Sequence, residues 1–271
     1  METMSDEKKD NWEREAKAWT ERANNPSDYF TRRSGFVTQL ICRHRSGGRT
    51  LDVGCGSGLL SFLLADKGFD IYGTDLSENM VTESARRLST LTNNSSERFR
   101  ACIDGEVPFE GDSFDVIAAI DVLPYIEDWP RYITKLSDMV KKDGLLVLTC
   151  TNRRGLFVGI SIVYMFLRLP FMLGNIKKWR VTLVNLARTG YWSGGFVDYH
   201  SSKQCYNANC LDSLLVGIGF NQIDEINLFA HPKFFDKKPF ERTALGRYFA
   251  RNFGWHHIGV YQRDYITFQQ E

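Results

Sequence analysis

The chain has 271 residues, and 34 lysines and arginines against 33 aspartates and glutamates leave a formal net charge of +1. Hydrophobic residues at 43% and charged residues at 25% are ordinary for a globular protein, which excludes disordered, collagen-like and disulfide-rich scaffolds. This length buries a full core and fits one large domain or two small ones. The near-zero charge argues against nucleic acid as the main partner, because nucleic-acid-binding surfaces are usually basic.

The cysteines indicate a reducing compartment. All six are scattered, without a C-x-x-C pair or a Cys/His ladder at zinc spacing, so no metal site is predicted. We interpret them as small buried hydrophobic residues. The segment up to Lys17 is charged throughout and lacks the apolar stretch of a secretory signal, so the expected location is the cytoplasm.

Two helices are predicted at the start of the chain. Residues 7–24 carry Trp12 and Trp19 at helical spacing among charged residues, which is typical of an amphipathic helix. A second helix is expected to begin after Ser27, as its capping residue, and to end near Arg43.

From residue 49 onward, strand and helix patterns alternate. The predicted strands are 50–53, 69–74, 99–103, 114–120 and 145–150, followed later by 220–229 and 258–268. The predicted helices of this part are 59–67, a helix capped by Ser77 that runs to about Leu91, 131–142 ended by Gly144, and 209–216. The alternation predicts an α/β fold: a Rossmann-like, doubly wound, mostly parallel seven-stranded sheet with an antiparallel edge and a helical cap insertion. A ligand is expected at the carboxyl ends of the parallel strands.

The first predicted strand ends in a glycine-rich turn, residues 54–58, with the spacing G-x-G-x-G. Leu59 stands where a dinucleotide fingerprint has its third glycine, and the Lys-Ser/Thr ending of a phosphate-binding loop is absent. About twenty residues further on, Asp75 ends the second strand, where a carboxylate accepts hydrogen bonds from ribose hydroxyls and disfavours a 2′-phosphate. The pattern favours an adenosine-type nucleoside.

Four segments together resemble class I S-adenosylmethionine-dependent methyltransferases. They are LDVGCGSG, GTDLSENM, the pair Asp104-Gly105 and FDVIAAIDVLPYIED. The resemblance covers residues 48–152 well and the terminal strands loosely. It implies S-adenosylmethionine as cofactor and S-adenosylhomocysteine (SAH) as product. With the pattern of predicted elements, it divides the chain into four parts: N-terminal helices (1–47), the cofactor core (48–152), a helical cap insertion (153–200) and the C-terminal part of the sheet (201–271).

The resemblance also implies roles at the cofactor. The glycine-rich turn lies against the methionine and ribose parts, Asp75 binds the ribose hydroxyls, and Asp121 lines the methionine end near the methyl group. Arg32 and Arg33 in the second helix are candidates for the cofactor's carboxylate, with a solvated helix face as the alternative. The residues assigned to the cofactor are Arg33, Asp52, Gly54, Cys55, Gly56, Asp75, Leu76, Met80, Asp104, Gly105 and Asp121. Of these, Leu76, Met80, Asp104 and Gly105 are assigned to the adenine.

The acceptor is expected to be a small molecule. Residues 121–125 read Asp-Val-Leu-Pro-Tyr, unlike the (D/N/S)-P-P-(Y/F) box of nucleic-acid and glutamine N-methyltransferases of this superclass. His200, before the late helix, is the candidate general base, because a histidine pKa near ~6.5 suits proton transfer at neutrality. A surface or capping histidine is the alternative.

Residues 155–174 are the most apolar stretch of the chain. Only 155–167 lacks a charge, which is short of the roughly 20 residues of a membrane span. The stretch is interpreted first as a lid over the acceptor pocket. A contact between subunits and peripheral docking on an anionic membrane surface are the alternatives. Aromatic residues up to Phe196 favour an apolar or aromatic acceptor.

The sequence therefore predicts an enzyme that methylates a small, largely apolar or aromatic acceptor, with a hydroxyl as the favoured site. N-methylation of a small amine is the alternative within the same class. A non-catalytic sensor or assembly protein that binds S-adenosylmethionine is the alternative from a different class.

Overall fold

The computed structural model describes residues 6–92, 95–102, 106–109, 114–126, 128–151, 208–228 and 256–264. In these ranges a seven-stranded sheet has the order β3-β2-β1-β4-β5-β7-β6. The strands are β1 Gly48–Val53, β2 Phe69–Asp75, β3 Phe99–Ala101, β4 Phe114–Ala119, β5 Val140–Thr151, β6 Phe220–Leu228 and β7 His256–Arg263. β1 to β5 pair in parallel, and β7 runs antiparallel to both β5 and β6. The predicted sheet is confirmed. The predicted cap insertion lies outside the described residues.

Helices cover both faces of this sheet. Their bounds are α1 Asp6–Ala23, α2 Tyr29–His44, α3 Leu59–Ala65, α4 Glu78–Leu88, α5 Ser95–Arg98, α6 Trp129–Asp138 and α7 Ala208–Gly217. A 3-10 turn, Leu123–Tyr125, follows β4. Within the described ranges, none of the helices combines the length and apolar character needed to cross a bilayer.

Three predicted details are wrong. The cysteines are not all buried, since Cys42 and Cys210 are exposed. The side chain that caps α2 belongs to Asp28 rather than Ser27, because the Asp28 carboxylate accepts from Phe30 N at 2.9 Å. The helix predicted over 131–142 ends at Asp138, since Val140 is buried and pairs with Phe114 at the start of β5. Gly144, predicted to end that helix, lies inside β5. Ser77 caps α4 as predicted, by accepting from Met80 N.

The core lies on the two faces of the sheet. On one face, side chains such as Leu146 and Tyr261 pack with residues of α6 and α7. On the other face, residues such as Val116 and Val147 pack with α2 and α3. Burial on both faces explains why β4 and residues 145–148 of β5 are nearly continuous apolar runs.

The strand order positions a ligand site. β1 lies between β2 and β4, so the chain moves from β1 to one side for β2 and β3, and to the other side for β4 and β5. At such a switch point the loops after two neighbouring parallel strands diverge and leave a crevice. The glycine-rich turn after β1 therefore lies at this crevice, between the ends of β2 and β4.

Candidate functional site

The glycine-rich turn is tied to the end of β2. Gly54 N and Cys55 N both donate to the Thr74 carbonyl, at 2.7 and 3.0 Å. Gly54 and Gly56 have φ values of +68° and +54°, in the left-handed region that favours glycine. A Cβ on Gly54 would lie 2.6 Å from Val122 Cγ2, whereas a Cβ on Gly56 would meet no described atom within 4 Å. The turn is packed at its start and open at Gly56, where a ligand can approach the backbone.

Asp75 holds this open part of the turn. One carboxylate oxygen accepts from Gly56 N at 2.9 Å and the other from Ser77 N at 3.0 Å. Burial raises the pKa of Asp75, and the backbone donors of Ser77, Gly56 and Leu76 oppose that rise. An ionised carboxylate accepts about four hydrogen bonds, so the backbone donors of Ser77, Gly56 and Leu76 leave capacity for a hydroxyl donor of a ligand.

Asp52 is a second carboxylate, in β1. Its side chain is 2% exposed and accepts from Ser61 Oγ at 2.7 Å. Burial raises the pKa of Asp52 to about 7, the Ser61 hydrogen bond opposes this, and the charge of Asp75 adds to it. Two neighbouring carboxylates beside the turn make this part of the site favourable for a positively charged ligand group.

An ion pair occupies the β4 side of the crevice. Arg33 Nη1 donates to Asp121 Oδ2, and Arg33 is only 7% exposed, so the alternative of a solvated helix face is wrong for this residue. Arg33 Nε is buried and has no hydrogen-bond partner among the described residues. The guanidinium also lies 4.8 Å from the ring centroid of Phe30, a cation–π contact.

Asp121 has a strained backbone, with φ +59° just after β4. Left-handed conformations are uncommon for residues other than glycine, and they concentrate at functional sites. Thr149 in β5 stabilises this one, since its Oγ accepts from Asp121 N at 2.6 Å and donates to Asp121 Oδ1 at 3.1 Å. The strained backbone and its stabilisation by Thr149 indicate that the position of the Asp121 carboxylate is important for the site.

Replacing Thr149 with valine is expected to lower the free energy of unfolding by about 1–3 kcal/mol, because Asp121 N–H loses its buried acceptor. Urea unfolding of the purified chain measures this change. Thr50→Val is the matched control: Thr50 is equally buried in β1, and its hydroxyl makes a longer bond, 3.3 Å, to Gly48 O. Equal losses in the two variants would contradict a special role for Thr149.

The structure groups the described residues predicted for the cofactor. Around the turn it brings together Asp52, Gly54, Cys55, Gly56 and Asp75. Leu76 is half-buried beside Asp75, Met80 is buried in the first turn of α4, and Arg33 and Asp121 face each other. Asp104, Gly105 and His200 lie outside the described residues. The role of each at a cofactor stays a prediction.

Sequence reasoning missed two contributors. Thr149 is a polar residue in the apolar run of β5, and that irregularity was its only signal. Glu13 in α1 accepts hydrogen bonds from the first residues of α4, and nothing in the local sequence indicates this contact.

Comparisons with known proteins identify the family. A family model described as a methyltransferase domain matches residues 22–225, about three quarters of the chain. Proteins named ubiquinone biosynthesis O-methyltransferase from Mesorhizobium japonicum and from a Chelativorans species are 30% and 32% identical over 117 residues. Each alignment covers 43% of this chain and 46% of the relative, so the chain spans about half the length of these curated relatives.

A solved structure agrees in fold. The magnesium protoporphyrin IX methyltransferase of Synechocystis PCC 6803, with bound SAH, superposes with a TM-score of 0.61 at 17% identity. The superposition covers 94% of this chain and 98% of that one. Such a low identity supports the fold alone. The family model, which extends over most of the chain, confirms the predicted resemblance, and this chain belongs to the methyltransferase-domain family.

Proposed function

We propose that this chain transfers the methyl group of S-adenosylmethionine to a hydroxyl of a small, largely apolar or aromatic acceptor. The observation that carries the proposal is the Asp75 carboxylate, fixed by Gly56 N and Ser77 N beside an open glycine-rich turn. Family membership supports methyl transfer. The curated relatives are named O-methyltransferases, which supports a hydroxyl as the acceptor group.

The described residues support the proposal at the ribose and at the amino-acid end of the cofactor. Asp75 accepts from the ribose hydroxyls, and the backbone of Gly56 lies against the ribose and methionine parts. The amino-acid end of the cofactor carries an ammonium and a carboxylate, which match the opposite charges of Asp121 and Arg33. The assignments of Asp52, Gly54, Cys55, Leu76, Met80, Asp104 and Gly105 complete the proposed cofactor site.

S-adenosylmethionine supplies a methyl group already activated by its positive sulfur. The protein then has to align the acceptor with the methyl group and exclude water. The Asp75 carboxylate lies beside the turn, and the Arg33–Asp121 pair holds the methionine end. A base is required only if the acceptor loses a proton, as an unactivated hydroxyl does.

His200 is proposed as that base. His200→Ala is expected to lower turnover on the true acceptor by about 100-fold or more, with little change in cofactor affinity. The measurement is steady-state methyl transfer together with titration of the cofactor. His44→Ala is the control, because His44 ends α2 and pairs with Asp224, away from the crevice. Near-normal turnover of His200→Ala would remove the proposed role and favour an amine acceptor.

The helices within 1–47 and the insertion 153–200 are proposed to enclose the acceptor. The apolar stretch 155–174 serves as a lid in this proposal, with a subunit contact or membrane docking as alternatives. Flotation with anionic liposomes tests membrane docking, and no binding would remove that alternative. The cytoplasmic location stays a prediction.

A methyl-transfer screen with labelled S-adenosylmethionine tests the whole proposal. Phenols, catechols, quinol precursors, amines and lipid extracts serve as acceptors, and calorimetric titrations compare S-adenosylmethionine with NAD. We expect binding of the former and label on a phenol-type hydroxyl. Label on an amine would favour the N-methyltransferase, and binding without transfer to any acceptor would favour the non-catalytic alternative. No heat with S-adenosylmethionine would overturn the proposal.

A further inference from the structure

Two consecutive residues of α1 contact opposite sides of the crevice. The ring of Trp12 packs edge-on against Tyr125, in the 3-10 turn after β4, with centroids 5.2 Å apart. Glu13 contacts the start of α4, which follows β2. Because the crevice lies between the ends of β2 and β4, α1 crosses its mouth at these two residues.

The Glu13 carboxylate caps α4. It accepts from Ser77 Oγ at 2.9 Å, from Glu78 N at 2.6 Å and from Asn79 N at 3.3 Å. The backbone N–H groups of a first helical turn have no partner within the helix and lie at the positive end of its dipole. A carboxylate from another helix therefore makes a strong contact here.

This contact is connected directly to the carboxylate proposed to bind ribose. Ser77 donates its hydroxyl to Glu13, and its backbone N–H to Asp75. The charge of Glu13 also contributes to the raised pKa of Asp75, after burial as the main cause. Any movement of Glu13 away from α4 changes the surroundings of Asp75.

The other contact of α1 belongs to an aromatic cluster, defined as Trp12, Trp19, Phe30 and Tyr125. Trp19 lies 6.1 Å from Trp12 and 4.6 Å from Phe30 between ring centroids. Phe30 in turn contacts the guanidinium of Arg33, which pairs with Asp121. This cluster joins α1 to the ion pair proposed to hold the methionine end.

We propose that Glu13 is a positioning residue that latches α1 across the cofactor crevice and thereby sets how fast cofactor and product exchange. The inference rests on the proposed cofactor site. A molecule held between Asp75 and the Arg33–Asp121 pair leaves through the opening that Trp12 and Glu13 bridge. Release then requires the Glu13 hydrogen bonds to break. The contacts of the aromatic cluster stay in place and serve as the hinge.

Glu13→Ala and Glu13→Gln test the latch on the full chain. We expect SAH to dissociate about tenfold faster from Glu13→Ala, the loss expected for charge-assisted hydrogen bonds, and by a smaller factor from Glu13→Gln. Stopped-flow displacement of SAH measures the rates. Trypsin cleavage after Lys17 and Arg22 is a second readout, and it should speed up in both variants. Glu21→Gln is the matched control, an exposed glutamate of the same helix.

Unchanged SAH release in the Glu13 variants, whatever the cleavage rate, or equal acceleration in Glu21→Gln, would overturn the latch. If circular dichroism shows that Glu13→Ala does not fold, the rate of SAH release from the isosteric Glu13→Gln decides whether the latch exists. The variant Asp75→Ala tests the proposed cofactor site independently of the latch. Lost SAH binding in Asp75→Ala with normal release from Glu13→Ala rejects the latch alone, whereas normal SAH binding in Asp75→Ala rejects the proposed site.

Discussion

Replacing Asp75 with alanine is expected to raise the Kd for S-adenosylmethionine about 100-fold or more. The ribose loses a charged acceptor for its hydroxyls, and a hydrogen bond to a charged group contributes roughly 1.5–3 kcal/mol. The same change removes the acceptor of Gly56 N, which holds the open part of the glycine-rich turn. Isothermal titration calorimetry measures the effect on variants whose thermal unfolding shows that they are folded.

Asp75→Asn is expected to lose less affinity, because the amide retains one acceptor oxygen. The control is Asp70→Ala in the same strand, since Asp70 is exposed and pairs with Arg98 at the far end of β2. An unchanged Kd in Asp75→Ala would contradict the assignment of the ribose to this carboxylate. A comparable loss in Asp70→Ala would point to damage of β2 instead.

Replacing Asp52 with asparagine is expected to stabilise the ligand-free chain at alkaline pH. The pKa of Asp52 is about 7 in the folded chain against 3.8 for an ordinary aspartate, because burial disfavours its charge. Between these two values the folded state binds more protons than the unfolded state, so the stability of the wild type falls as pH rises. The free energy of unfolding of the wild type falls by about 1.4 kcal/mol per pH unit in this range, or by roughly 3 kcal/mol between pH 5 and pH 8.

The asparagine variant lacks this titration. Its free energy of unfolding, relative to the wild type, should therefore rise by roughly 3 kcal/mol from pH 5 to pH 8, measured by urea unfolding at each pH. Asp66→Asn is the control, because Asp66 is exposed after α3 and its substitution removes a charge that is already in water. Parallel pH profiles of wild type and Asp52→Asn would show that Asp52 keeps its charge throughout the range.

Local sequence patterns predicted most of the sheet and failed where pairing overrode them. The amphipathic pattern of α6 continues past Asp138, yet Val140 joins β5 because it pairs with Phe114. The residues of the site divide in the same way, into those set by local sequence and those set by packing between distant segments. The turn at Gly54 and the carboxylate of Asp75 belong to one β-α-β unit, so their spacing along the chain is enough to find them.

The remaining contributors depend on packing between distant parts of the chain. Thr149 and Asp121 are 28 residues apart, and Glu13 and Ser77 are 64 apart. Neither separation reflects the periodicity of a single helix or strand, so spacing along the sequence does not reveal these contacts. Arg33 was a candidate from sequence, but only its burial in the folded chain separates it from a solvated arginine of the same helix.

The position of β7 has a consequence for how the chain folds during synthesis. β7 is inserted between β5 and β6, so residues 145–151 of β5 find their antiparallel partner more than 100 residues later. β6 pairs with β7 on one side and, in the described ranges, has no other strand beside it. Until residues 256–263 leave the ribosome, β5 presents an apolar edge that can pair with other chains. The nucleoside-binding half can form early, whereas closure of the sheet waits for a late contact between distant segments, which makes this the slow and aggregation-sensitive step.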